Sequence, residues 1–167
     1  MRSLGVGLPL LAALAVLQST VLAQFTLLDG RADLILVAVV CWAMAGRGED
    51  AMVWALIGGL FLDLFSAVPF GSTSMVLILL AYSVSFLRAG FWEANLLLPL
   101  GVVLAASIAF HSWGIGTMLV LGRGLDLSQA VARVVVPSTL LNLALALPAT
   151  QLVASLNRAL FPPEVRV

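Results

Sequence analysis

Apolar residues run almost without pause through this chain, and the polar interruptions between the runs are only a few residues long. A soluble fold must keep most charged and polar side chains outside, and this sequence has too few of them to cover a domain. Hydrophobic residues make up 62% and charged residues 10% of the 167 positions, against about 45–50% and about 25% in soluble domains. A bilayer can accept that surface where water cannot, so the reading is an all-α integral membrane protein of one domain. Net charge is zero and no basic run occurs, which argues against nucleic-acid binding.

The runs place six transmembrane helices at 4–23, 34–46, 51–65, 72–87, 96–122 and 134–155. The first also carries features of a secretory signal, with Arg2 ahead of it and Val21-Leu22-Ala23 at its end, but it is longer than the usual signal core. The second is short for a spanning helix. The fifth is the longest and is read as tilted or kinked at Gly114 and Gly116. Residues 123–133 read as a loop with an amphipathic portion around Ser128-Gln129. Arginines set the orientation, because basic residues concentrate in cytoplasmic loops. Arg2, Arg47, Arg88, Arg158 and Arg166 then face the cytoplasm, with both termini, and Arg31, Arg123 and Arg133 face outward.

The third run contains one carboxylate, Asp63, and Ala51, Ala55, Gly59 and Asp63 are spaced four apart, so they share a helix face. Small residues admit a neighbouring helix, and an acid on that face points into protein rather than lipid. The run stops at Ser66-Ala67-Val68-Pro69-Phe70-Gly71. In the six-span topology Asp63 lies near the external end of its helix, at the depth of Arg31 and Asp33. The reading is an Asp63–Arg31 pair that locks the hairpin of the second and third spans.

Ser138, Asn142, Ala146 and Thr150 repeat the four-residue spacing in the last run, a polar seam able to hydrogen-bond across helices. Gly101, Ala105 and Ala109 in the fifth run, and Ala15, Ser19 and Ala23 in the first, form further small-residue faces. His111 reads as a neutral histidine bonded to a neighbour. Cys41 is the only cysteine and reads as a packed thiol. No nucleotide-binding loop, nucleophile triad, carboxylate pair or metal-ligand cluster is present in the sequence. No enzyme, cofactor or metal site is assigned.

Residues 31–84 resemble the MreD family, the small membrane subunit of the bacterial rod-shape machinery. The similarity rests on Arg31-Ala32-Asp33-Leu34-Ile35-Leu36, where the family has a Pro-Asp-Leu start and Ala32 stands for the proline. It rests further on Gly58-Gly59-Leu60-Phe61-Leu62-Asp63-Leu64-Phe65-Ser66 followed by Pro69-Phe70-Gly71. Arg31, Asp33, Gly58, Gly59, Asp63, Pro69 and Gly71 are therefore the candidate structural and docking residues. The resemblance implies a non-enzymatic scaffold in the cytoplasmic (inner) membrane. Its partner would be an MreC-like single-span protein, and through it MreB, the polymerase RodA and its transpeptidase, in control of peptidoglycan synthesis. It also implies a bundle similar to the substrate-binding subunits of energy-coupling-factor transporters. That likeness supplies the rival reading, a vitamin-binding subunit, which needs a pocket joining polar groups such as Asp63, Tyr82, Trp92, His111 and Asn142.

Overall fold

A computed structural model describes residues 2–22, 24, 28–66, 68–86 and 97–161. The described chain is mostly helical, with no strand among the described residues. Helix α1 covers Arg2–Val16 and continues as a π-helical turn, Leu17–Val21. Then come α2 (Leu34–Met44), α3 (Gly48–Leu64), α4 (Ser72–Ser85) and α5 (Leu97–Val120). The last helix, α6, runs through Leu127–Leu160, with a π-helical turn at Val131–Val135. The stretch read as a loop at 123–133 is thus largely helix. The cause is local: the Asp126 carboxylate accepts from the backbone N–H of Ser128 (3.0 Å) and Gln129 (3.3 Å) and starts the helix there. The fifth helix is uninterrupted through Gly114 and Gly116.

Helix α2 is the centre of the bundle. Ile35, Leu36, Val37 and every residue from Val39 to Met44 are buried, so the helix has no polar or lipid-facing stripe and is enclosed by its neighbours. Its 11 residues reach only about 16 Å, well short of the ~30 Å bilayer core. The shortness anticipated for this run is that of a helix buried in protein, whose ends must find protein partners instead of water. Of the six helices among the described residues, α5 and α6 alone are long and apolar enough by themselves to cross a membrane.

Two packing features hold the end of the bundle where α2 leads into α3. Trp42 of α2 and Trp54 of α3 stack face to face, with ring centroids 4.3 Å apart and planes within 6°. Both are fully buried in the apolar core that also holds Leu11, Leu36 and Leu77, and aromatic pairs of this kind contribute beyond their buried area. Nearby, Arg47 Nε donates to Asn157 Oδ1 (3.2 Å) and its guanidinium lies 3.4 Å from the centroid of the Phe161 ring. That cation–π contact ties the α2–α3 turn to the end of α6.

Candidate functional site

The opposite end of the bundle is polar, and its construction starts from a proline. Pro137 in α6 has no N–H, so the carbonyl four residues earlier, on Arg133, has no α-helical donor. The Asp29 N–H donates to that carbonyl at 3.1 Å. Two residues further on, the Arg31 N–H donates to Ser138 Oγ (2.9 Å), and after two more the Asp33 N–H donates to Asn142 Oδ1 (2.7 Å). Every second amide of residues 29–33 is therefore satisfied by α6. A strap of non-helical backbone descends along this helix, an arrangement allowed at membrane depth only where protein supplies the hydrogen bonds. The Cβ of any larger residue at Gly30 would meet Ser138 N at 2.7 Å, so the strap lies directly on the helix.

At the foot of the strap, Asp33 occupies the N-cap position of α2, where an aspartate normally bonds the first-turn amides. Its side chain makes no such bond. The Ile35 N–H is instead taken by Gln18 Oε1 from the π turn after α1 (3.3 Å). That releases the Asp33 carboxylate to turn inward. Its Oδ2 accepts from Asn142 Nδ2 (3.0 Å), which is also 3.1 Å from Ser107 Oγ on α5. His111 Nε2, one helical turn along α5, lies 3.2 Å from the same oxygen. The contact is at ion-pair distance but lacks hydrogen-bond geometry, since this nitrogen has no hydrogen-bond partner. It becomes an attraction between full charges when the imidazole is protonated. Asp33, Asn142 and Ser107 are all buried, and together with His111 they join α2, α5 and α6.

Asp63 stands at the other polar junction. It is in the last turn of α3, and its carboxylate crosses to the start of α4. Oδ2 accepts from Gly71 N (2.8 Å) and Ser74 Oγ (3.3 Å), and Oδ1 accepts from Thr73 N (3.1 Å). These amides are the donors that a helix start leaves without partners, and a negative charge is favourable there. Gly71 has φ +90°, a conformation that glycine adopts without strain and that aims its N–H at the carboxylate. Pro69, exposed, closes the same turn by accepting the Ser72 N–H at 3.0 Å. Gly59, one turn before Asp63, lies so close to α4 that an added Cβ would stand 2.3 Å from Ser74 Cα. Gly58 faces the other way, where a Cβ would meet Ile35 Cγ2 at 2.7 Å.

The structure therefore separates residues that the sequence reading paired. The partners of Asp63 are the amides and hydroxyl of α4, and Arg31 is not among them. Arg31 is instead held by its backbone on α6, and the strap it belongs to is what places it. The Ser138 and Asn142 positions of the polar seam converge on that strap, whereas Thr150 bonds its own helix at Leu147 O (2.8 Å). Sequence reasoning missed Gln18, Ser107 and Pro137. Of these, Pro137 carried a usable signal: a proline inside a helix frees a carbonyl, and something must fill it.

Among the described residues, cavities open around this end. One of about 270 Å³ is lined by Gln18, Ser19, Arg31, Asp33, Ser66 and Thr73 over a floor that includes Phe110. A second, of about 310 Å³ and mostly apolar, has His111 and Trp113 in its wall. The third is an apolar groove of about 740 Å³ between Pro69–Met75 and the second half of α5. The groups required by a vitamin pocket do not meet in any of them. The Asp63 carboxylate is consumed by α4, Tyr82 is exposed against Phe86, and Trp92 lies outside the described residues. His111 and Asn142 do come together, around Asp33. Among the described residues no group of three metal-ligating side chains forms.

The described residues form a helical bundle with two helices long and apolar enough to cross a membrane and a short, buried central helix. A family model for the rod shape-determining protein MreD matches residues 1–159, nearly the whole chain, and the chain belongs to the MreD family. No curated protein and no solved structure matches it.

Proposed function

We propose that this chain is a non-enzymatic scaffold subunit of the bacterial cell-elongation complex, a single domain crossing the inner membrane six times with both termini in the cytoplasm. It binds an MreC-like single-span protein, and through that partner acts with MreB, RodA and its transpeptidase on peptidoglycan synthesis. The observation that carries this reading is the family match over residues 1–159. The chemistry agrees with it, because the buried polar side chains Asp33, Asp63, Ser107 and Asn142 are each occupied in holding helices together.

A ruler along α6 supports the membrane placement. Ser138 bonds Arg31 and Asn157 bonds Arg47; these two contacts are nineteen residues apart on one helix, or about 28 Å, close to the ~30 Å hydrocarbon thickness. The two arginines then mark opposite faces, with Arg47 cytoplasmic and Arg31 external. The bundle is expected to be similar to the substrate-binding subunits of energy-coupling-factor transporters in layout while lacking their transport role.

The test is affinity capture of the tagged chain from detergent-solubilised membranes, with mass spectrometry of what accompanies it. An MreC-like single-span protein is the expected companion. Recovery of coupling ATPases without cell-wall proteins would sink the scaffold reading.

A further inference from the structure

The polar cavity on the Arg31 side of the bundle carries two charged residues, Arg31 and Asp33, beyond the groups that join helices there. Arg31 is pinned by its backbone N–H to Ser138, while the residue remains exposed and lines the cavity. Asp33, two residues further down the strap, lines the same cavity. Both of its side-chain contacts, from Asn142 and His111, fall on Oδ2, and Oδ1 takes neither. The wall also includes Gln18, whose Oε1 accepts from the Ile35 N–H, Ser19 and Ser66, whose hydroxyls donate to Ala15 O and Asp63 O, and Thr73, with Leu62, Phe65 and Phe110. An exposed arginine, a buried carboxylate two residues on and apolar side chains in the same lining are complements to a dipolar headgroup with acyl chains.

We propose that this cavity binds the headgroup of a zwitterionic phospholipid bearing a primary ammonium, of the phosphoethanolamine type. The phosphate sits on Arg31, whose planar fork of donors suits it. The ammonium turns inward to Asp33 and the hydroxyls, and the acyl chains leave past Phe65 into the bilayer. The order of charges decides the class. A phosphatidylglycerol headgroup can place its phosphate on Arg31 in the same way but brings only neutral hydroxyls to Asp33, without the charge-assisted hydrogen bond that an ammonium adds. A choline headgroup has no N–H to donate to Asp33. The inference rests on the membrane placement above, which sets Arg31 at headgroup level; it does not depend on which proteins the chain binds.

The experiment is native mass spectrometry of the full chain released from nanodiscs containing phosphatidylethanolamine, phosphatidylglycerol and phosphatidylcholine in equal amounts. Wild type is expected to retain phosphatidylethanolamine preferentially, and Arg31→Gln to retain it about tenfold less. Arg158→Gln, at the far end of α6, is expected to match wild type. Circular dichroism of Arg31→Gln should show unchanged helix content, since the Ser138 bond uses the backbone. Equal retention of the three lipids, no retained lipid, or an Arg31→Gln profile equal to wild type would each overturn the site. Equally tight binding of soluble glycerophosphoethanolamine would overturn the lipid as its source and assign the cavity to a free metabolite. Extraction of the chain from membranes by alkaline carbonate would remove the membrane placement itself. Loss of partner proteins in affinity capture leaves these lipid results standing and bears on the scaffold reading alone.

Discussion

Two aspartates, thirty residues apart, exchange the places that their helix positions would give them. Asp33 stands where a helix-capping aspartate belongs and does not cap. Asp63 stands at the end of a helix, where a capping role is not available to it locally, and caps the next helix across a turn. The difference is in what surrounds each. At Asp33 a neighbour, Gln18, already satisfies the Ile35 amide, so the carboxylate is free to bind the side chains of α5 and α6. At Asp63 the α4 start has no side-chain cap of its own, and the carboxylate fills that need. A buried carboxylate goes to whichever donors remain unsatisfied around it.

The comparison predicts unequal tolerance, and the largest effect falls beside Asp63. Gly59→Val should force α3 and α4 apart, because the new side chain meets Ser74 backbone; a cost of about 3 kcal/mol or more is expected, read as a lower midpoint in reversible unfolding in mixed micelles. Asp63→Asn follows. Its amide turns donors toward amide N–H groups, leaving at least one unsatisfied, and should cost about 2–3 kcal/mol. Unchanged stability of this variant would remove the capping account.

Asn142→Leu should cost about 2 kcal/mol by the same measurement, since the Asp33 N–H and Oδ2 both lose a partner. Asp33→Asn should be milder than Asp63→Asn, about 1 kcal/mol, because the new side-chain oxygen can still accept from Asn142. If the two aspartates proved equally sensitive, the contrast between capping and bridging would fail.

The smallest effect is at Asp126. Hydrogen bonds from the Ser128 hydroxyl and the Gln129 backbone hold its carboxyl below the usual carboxylate range. A depressed folded value means that the contribution is present above the unfolded pKa and is lost as pH falls through the folded one. Exchange of the Ser128 and Gln129 amides should therefore quicken, relative to the middle of α6, as the solution is acidified through that range. In Asp126→Ala this acid-dependent change should be absent.

Much of the architecture was legible before any coordinates. Hydropathy runs gave the places of the helices, and a four-residue period put Ala51, Ala55, Gly59 and Asp63 on one face, all of them buried in the fold. The Asp126-Leu127-Ser128-Gln129 start of α6 was also written in the chain, as a capping residue followed three positions later by glutamine. It went unread because the apolar run begins later. What could not be read was partner choice. In the six-span reading Arg31, Asp33 and Asp63 fall at similar depth, and depth alone favoured an ion pair between opposite charges.

The sequence by itself determined a helical membrane chain, the family to which it belongs, and the positions at which carboxylates and close-packing glycines occur. These follow from composition and period, which are properties of neighbours along the chain. Tertiary structure alone decided that Gln18 caps α2, that Pro137 leaves a carbonyl for Asp29, and that the two aspartates serve different helices. Each of those outcomes depends on which unsatisfied donor or acceptor comes within about 3 Å in space, and residues separated by more than a hundred positions, such as Asp33 and Asn142, meet only when the bundle has formed.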